Sequence, residues 1–147
     1  MITYVISNND SGIEKVLKLI DTDYQPVSYV NNTLPNKLFS IIDHRKYKFC
    51  ENDQFMSQFN YLKLNNVDEL YDFIVKKQAG LEQRTSKEFV VIEDFRQLVN
   101  SSNNIYGDLN FKIIEILIGL KRYESFIIDT QQNKFVSYYI DHLEVVD

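Results

Sequence analysis

The feature that most restricts the fold is an unbroken apolar run, Phe-Val-Val-Ile at residues 89–92, which ends directly in the acids Glu93 and Asp94. A strand that is apolar on both faces is typical of the centre of a parallel sheet, because helices cover both faces of such a sheet. Two other apolar runs, residues 2–6 and 126–128, also end in polar stretches, at residues 7–12 and 129–131. Together they predict parallel strands with polar residues at their carboxyl ends.

Segments with helical spacing separate these strands. Apolar side chains recur every three or four residues in three of them, at residues 13–20, 67–75 and 109–121, and residues 26–30 fit a further strand. Strands that alternate with helices predict an α/β fold. We therefore expect a single domain over residues 1–147, with three layers: a mainly parallel sheet and helices on both faces. Ligands of such sheets bind beyond the carboxyl ends of the strands.

Weaker patterns predict the remaining elements. Residues 38–42 and 47–50 resemble two short strands joined by Asp43, His44, Arg45 and Lys46, a small hairpin insertion. Residues 55–62 have the apolar spacing of a helix. Residues 81–87 are mostly charged and polar, which predicts a surface loop, and residues 135–140 fit an edge strand. Ser11 and Glu14 have the spacing of a capping box at the start of the first helix.

Charge and composition exclude several classes of function. The formal net charge of −5 disfavours a general nucleic-acid coat, although short basic stretches leave local contacts with nucleic acid open. The single cysteine, Cys50, excludes an intramolecular disulfide and suits a reducing compartment. No apolar run reaches the ~20 residues that a membrane span needs, and residues 1–6 do not form a signal peptide. His44 and His142 lack the spacing of a metal motif. We expect a cytoplasmic protein without a membrane or metal site.

Residues 7–14 have the strand-to-helix context of a phosphate-binding loop, G-x-x-x-x-G-K-[S/T]. Gly12 keeps the second glycine, whereas Ser7 replaces the first, Ile13 replaces the lysine and Glu14 replaces the hydroxyl residue. Two like charges ~4 Å apart at an effective dielectric constant of roughly 20 repel by about 4 kcal/mol. That is half of the roughly 8 kcal/mol that corresponds to micromolar affinity. We therefore expect no cofactor, and Mg-ATP in particular is not expected to bind.

Order and spacing along nearly the whole chain resemble the P-loop NTPases, and within them the FtsK/HerA-type DNA-translocating and viral genome-packaging ATPases. The likeness lies in residues 4–12, 89–95 and 119–131. It implies a nucleotide-binding loop, weakened or lost here, at Asn9, Asp10, Ser11 and Gly12. It further implies a metal-side acid at Glu93, a water-activating acid at Asp94 and a γ-phosphate sensor at Gln131, as vestigial catalytic residues. The order Glu-Asp departs from the usual Asp-Glu of the family.

Three hypotheses of function follow. The first is a non-catalytic P-loop ATPase-like protein, encoded by a phage, virus or mobile element, that assists DNA translocation or packaging through contacts with a protein partner. The second is a nuclease resembling the RNase H/RuvC resolvases, in which Asp10 together with Asp141 or Asp147 would have to hold two metal ions. The third is a small acidic inhibitor or immunity protein. The sequence leaves the partner's identity and the oligomeric state open.

Overall fold

The computed structural model describes residues 1–43, 46–79 and 86–146 of the chain. Its centre is a six-stranded sheet in the order β3-β2-β4-β5-β1-β6, and each pair of neighbours is parallel. The strands are β1 (Ile2–Ser7), β2 (Val27–Asn31), β3 (Phe59–Lys63), β4 (Phe89–Glu93), β5 (Glu124–Asp129) and β6 (His142–Val146). The predicted fold class, an α/β fold with a mainly parallel sheet, is confirmed.

Helices cover both faces of this sheet. They are α1 (Ser11–Ile20), α2 (Asn36–Ile41), α3 (Asp53–Met56), α4 (Val67–Ala79), α5 (Phe95–Asn100), α6 (Leu109–Leu120) and α7 (Lys134–Ser137), with a 3-10 turn at Lys48–Glu51. The longest helix described, α4, has 13 residues. None of the helices in the described ranges is long and apolar enough to cross a membrane.

Each face of the sheet carries its own apolar core. Val5 and Val91 pack with α1, α2, α3 and the 3-10 turn on one face, whereas Tyr4 and Ile92 pack with α4, α5, α6 and α7 on the other. Successive side chains of a strand point to opposite faces. A strand between two helical layers is therefore apolar at most positions, which explains the unbroken run in β4 and the largely apolar runs in β1 and β5.

The order of the strands gathers the polar loops at one edge. From β1 the chain moves through β2 to β3 with its helices on the α1 face, and then moves back through β4 and β5 to β6 with its helices on the α4 face. A reversal of direction with a change of face keeps every crossover right-handed. The loops that follow the neighbouring strands β2 and β4 therefore run in opposite directions, and so do the loops that follow β1 and β5. Where adjacent loops run apart in this way, a crevice opens at the carboxyl ends of the strands.

The predicted hairpin insertion is wrong. Residues 38–42 lie mostly in α2, where the amides of Phe39 and Ile42 donate to the carbonyls of Pro35 and Leu38 at 3.0 and 2.9 Å. Pro35 directly precedes the helix, a position where a proline's fixed φ and missing N–H cost little. Residues 48–51 form the 3-10 turn rather than a strand. Within the predicted connecting tetrad, residues 44 and 45 lie outside the described residues.

Two other predicted elements are also wrong. Residues 55–62 divide into the end of α3 and strand β3. Phe59 and Tyr61 lie on the same face of β3, and both rings stack on Tyr29 of β2, with centroids 6.3 and 5.8 Å away. Residues 134–137 form α7, whose start is capped by the Asn133 side chain, and the edge strand β6 begins only at His142. Of the predicted surface loop, residues 81–85 lie outside the described residues.

Candidate functional site

A pocket of about 100 Å³ lies at the carboxyl edge of β1, β4 and β5. It is lined by Ser7, Asn8, Asn9, Ile13, Lys37, Glu93, Asp94, Ile128, Asp129 and Thr130. Small-molecule sites usually enclose about 300–1,000 Å³, so this pocket is small for a nucleotide. The turn after β1 and the acidic end of β4, distant in sequence, thus face the same space.

The turn between β1 and α1 is closed by its own side chains. The Ser7 hydroxyl accepts a hydrogen bond from the Gly12 amide at 3.1 Å and donates one to the Asn9 carbonyl at 2.9 Å. The Asn9 side-chain carbonyl accepts from the Ser11 amide at 2.8 Å. In a phosphate-binding loop, backbone amides of this kind hold the phosphates. Here the amides of Ser11 and Gly12 already have partners within the turn.

Gly12 allows α1 to approach β1 closely. A Cβ atom at this position would lie 2.7 Å from Ser7 Cβ and 3.3 Å from Val5 Cγ1, so no side chain fits without a backbone shift. The glycine shared with the phosphate-binding motif therefore has a packing role in this fold.

The two positions after Gly12 do not resemble a phosphate site. The Ile13 side chain is 3 % exposed and belongs to the apolar core on the α1 face. Glu14 lies in the first turn of α1, and its carboxylate is 3.6 Å from Lys46 Nζ. The predicted capping box is wrong, because Ser11 is already inside the helix and the N-cap, Asp10, makes no side-chain capping bond.

Glu93, the predicted metal-side acid, is held by the neighbouring strand β2. The residue is 8 % exposed, and its carboxylate accepts hydrogen bonds from the Tyr29 hydroxyl at 2.6 Å and from Asn31 Nδ2 at 2.7 Å. Burial, together with the negative charge of Glu93, raises the pKa of Tyr29 well above its ordinary value. Each oxygen of Glu93 therefore has a donor supplied by the protein itself.

Asp94, the predicted water-activating acid, has an unusual backbone conformation. Its φ of 63° and ψ of 55° lie in the left-handed region, which costs an L-residue about 1–2 kcal/mol. Its amide donates to the Ile128 carbonyl at 2.7 Å, which fixes the end of β4 to β5. Among the described residues, no donor forms a hydrogen bond with the Asp94 carboxylate. Asp94 is thus the pocket's least restrained acid.

Asp129, at the end of β5, is a pocket acid from the polar stretch at residues 129–131, and no chemical role was predicted for it from the sequence. It is 2 % exposed and accepts hydrogen bonds from the Tyr4 hydroxyl at 2.7 Å and from the Arg96 amide at 3.0 Å. Burial raises the pKa of Asp129 from 3.8 to about 6, and the charge of Asp94 adds to this effect, although both hydrogen bonds oppose it. Like Glu93 on β4, Asp129 is the last residue of its strand.

Gln131, the predicted sensor, does not line the pocket. Its side-chain carbonyl accepts a hydrogen bond from Arg96 Nη1 at 2.8 Å, and both residues line a separate depression next to α5 and α7. The structure therefore groups Asn9, Glu93 and Asp94 around the pocket and places Gln131 beside it.

Lys37, which was not predicted from the sequence, supplies the positive charge. It extends from α2, and its Nζ lies 3.1 Å from Asp10 Oδ1. The hydrogen bond with Asp10, together with the charges of Asp10, Glu93 and Asp94, raises the pKa of Lys37. Among the described residues that line the pocket, Lys37 alone is cationic, whereas Glu93, Asp94 and Asp129 are acids. This balance disfavours a polyphosphate.

One acid pair that a nuclease could use, Asp10 with Asp141, does not come together. Asp141 accepts a hydrogen bond from the amide of Ile2, at the start of β1, whereas Asp10 follows the end of that strand. The two acids therefore lie at opposite ends of β1. Residue 147 lies outside the described residues. Within the described part of the chain, no group of three or more His, Cys, Asp or Glu side chains is placed to hold a metal ion.

Comparisons with known proteins support the fold. No protein-family model matches the chain, and neither does any curated protein. Among solved structures, one that is described as an ATPase domain superposes with a TM-score of 0.55 at 12 % sequence identity, over 98 % of this chain and 68 % of that one. At this identity the match concerns the fold alone. The chain therefore shares its α/β fold with a structure described as an ATPase domain.

Proposed function

We propose that this protein is a non-catalytic relative of the P-loop ATPases, which acts through contacts with other proteins. The observation that carries the proposal is the closed turn after β1. There, the Gly12 amide donates a hydrogen bond to the Ser7 hydroxyl, and the Ser11 amide donates one to the Asn9 side chain. Without these bonds both amides would be available to a phosphate. Since those bonds are internal, a nucleotide would have to break them before it gained any contact with the turn.

The electrostatics of the pocket support the same proposal. A phosphate-binding lysine neutralises the β- and γ-phosphates, but Ile13 takes its place in the motif and is buried. The one lysine among the described residues at the pocket, Lys37, extends from a different element and already forms an ion pair with Asp10. In both Glu93 and Asp129, each carboxylate oxygen already accepts a hydrogen bond from another group of the protein.

More specifically, the proposed role is that of an accessory or regulatory protein in DNA translocation or packaging. The protein would act in the cytoplasm of a cell or of a host infected by a phage or virus. Its support is the motif order along residues 4–12, 89–95 and 119–131. Apolar side chains exposed on α6 also support contacts with a protein partner: Phe111 and Ile118, two turns apart on one helix face, are 57 % and 50 % exposed.

Titration calorimetry with Mg-ATP tests the loss of nucleotide binding. We expect no heat of binding for the wild-type protein at millimolar nucleotide. The variant Glu14→Gln is expected to behave in the same way, because removing its negative charge leaves the turn's internal hydrogen bonds in place. Binding of Mg-ATP to the wild type with micromolar affinity, lost in Glu93→Ala, would contradict the proposal.

Affinity purification from cells that express the protein tests the protein partner. We expect a translocating or packaging component to co-purify with the wild type and to be lost, at least tenfold, from the variant Phe111→Glu with Ile118→Glu. Because both side chains are largely exposed, the free energy of unfolding should stay within about 0.5 kcal/mol of the wild type. The matched control is Lys18→Glu, an exposed position on α1. Equal recovery of the same component with all three proteins would exclude α6 as the contact.

A further inference from the structure

The Tyr4 hydroxyl, buried in the core on the α4 face, joins three segments of the chain beside Asp129, which lines the pocket. From β1 it donates to Asp129 Oδ2 of β5 at 2.7 Å and accepts from the Asn133 amide, just before α7, at 3.1 Å. The carbonyl oxygen of Gln131 lies 3.4 Å from the same hydroxyl. A hydroxyl has one hydrogen and two lone pairs, so it can donate fully to only one of Asp129 and Gln131.

Protonation of Asp129 would change which acceptor the hydroxyl uses. With Asp129 ionised, the hydroxyl hydrogen lies on the short bond to Oδ2, and Oδ1 accepts from the Arg96 amide. A proton added at Oδ2 becomes a donor to the second lone pair of the Tyr4 oxygen. The Tyr4 hydrogen then turns to the Gln131 carbonyl, and the bonds from Asn133 and Arg96 remain. Both arrangements satisfy these polar groups, as a buried network requires.

We propose that Tyr4 and Asp129 form a proton-operated switch, which fastens residues 130–133 to β1 through the Gln131 carbonyl when Asp129 is neutral and releases that bond when Asp129 is ionised. The effect reaches α5, because the Gln131 side chain accepts a hydrogen bond from Arg96. Protonation also removes one negative charge from the pocket. The switch is independent of the proposed function, since it needs no ligand.

The surroundings place this switch in a mildly acidic range. Burial raises the pKa of Asp129 to about 6. The charge of Asp94 favours the neutral form, and that of Arg96 favours the ionised form. The charged and titratable groups around Asp129 are Tyr4 on β1, Asp94 and Arg96 at the start of α5, and Glu93, Lys37 and its partner Asp10 around the pocket.

Nuclear magnetic resonance of the full chain, between pH 4.5 and 8, tests the switch. The two signals to follow are the carboxyl carbon of Asp129 and the amide nitrogen of Gln132, which is bonded to the Gln131 carbonyl carbon. In the wild type we expect both to titrate with one midpoint near pH 6. In Asp129→Asn, the Gln132 signal should stay at its low-pH position throughout.

The variant Tyr4→Phe is the matched control, because it keeps the aromatic ring and removes only the hydroxyl. We expect the Gln132 titration to become at least threefold smaller than in the wild type. A Gln132 signal that does not move in the wild type, or that moves as much in Tyr4→Phe, overturns the proposal. If Tyr4→Phe does not fold, Asp129→Asn decides: a Gln132 amide that still titrates near pH 6 in that variant also overturns it.

Discussion

Replacing Asp129 by asparagine is expected to stabilise the protein by about 3 kcal/mol at pH 8, although it removes a buried, doubly hydrogen-bonded carboxylate. The reason is the raised pKa of Asp129, about 6 in the folded protein against an ordinary value of 3.8. Each pKa unit corresponds to about 1.4 kcal/mol, so the ionised carboxylate costs the folded state roughly 3 kcal/mol. Asparagine removes that cost because it stays neutral.

The sign of the pH dependence follows from proton binding. Between about pH 4 and pH 6 the folded state keeps a proton on Asp129 that the unfolded state has lost, so the free energy of unfolding contributed by this group falls as the pH rises. Below pH 4 both states are protonated and the cost is absent. The advantage of Asp129→Asn should therefore be near zero at pH 4, grow through this window and stay constant above pH 6.

The side chain of asparagine fits the same hydrogen bonds. Its oxygen can accept from the Arg96 amide, and its NH₂ group can donate to the Tyr4 oxygen, while the Tyr4 hydroxyl turns to the Gln131 carbonyl at 3.4 Å. No buried donor is left facing another donor. The substitution thus isolates the cost of the charge from the cost of broken hydrogen bonds.

Urea denaturation of wild type and Asp129→Asn at pH 4, 6 and 8 measures this difference. The control is Asp141→Asn, because the hydrogen bond from the Ile2 amide lowers the pKa of Asp141, so the charge there favours the folded state. Loss of the charge at Asp141 should destabilise the protein at pH 8. An Asp129→Asn variant that is less stable than the wild type at pH 8 would show that the ionised carboxylate is not a cost to this fold.

The apolar strands could be predicted from the sequence because of where they lie in the sheet. In β1, β4 and β5 both faces pack against a helical layer, so these strands show as apolar runs with few polar residues. The edge strands β3 and β6 are half-exposed, and their mixed sequences were not recognised. The short helices α3 and α7 begin at the capping side chains of Asn52 and Asn133, and they end within four residues. Apolar periodicity carries little information over so short a length.

Part of the candidate site could be predicted for the same reason. Polar residues that end neighbouring parallel strands meet at one edge, so Asn9, Glu93 and Asp94 could be grouped from the order of strands and helices alone. Lys37 could not, because its helix was predicted as a strand. Tyr29 and Asn31, which donate to Glu93, could not be predicted as its partners either. Their contact requires β2 to lie beside β4 in the sheet, although β3 lies between these two strands in the sequence.

The variant Tyr29→Phe is expected to destabilise the protein by about 3 kcal/mol. Hydrogen bonds to charged groups contribute about 1.5–3 kcal/mol, and a buried carboxylate oxygen left without a donor costs more than a neutral one. The hydroxyl of Tyr29 is the 2.6 Å donor to Glu93, and the tyrosine itself is fully buried. Phenylalanine keeps the ring in the core, so the loss reports on the stranded charge rather than on packing.

Tyr61→Phe is the matched control, since Tyr61 stacks on Tyr29 but its hydroxyl donates to the exposed Thr33 carbonyl. We expect that control to cost less than about 1 kcal/mol, because solvent can replace a partner at an exposed site. Urea denaturation of both variants, alone and combined with Glu93→Gln, gives a double-mutant cycle. If Glu93 is held as a structural acid, most of the cost of Tyr29→Phe should disappear once the charge is removed. A cost that is unchanged in the Glu93→Gln background would instead separate Tyr29 from Glu93, and would leave that carboxylate available for a role in the pocket.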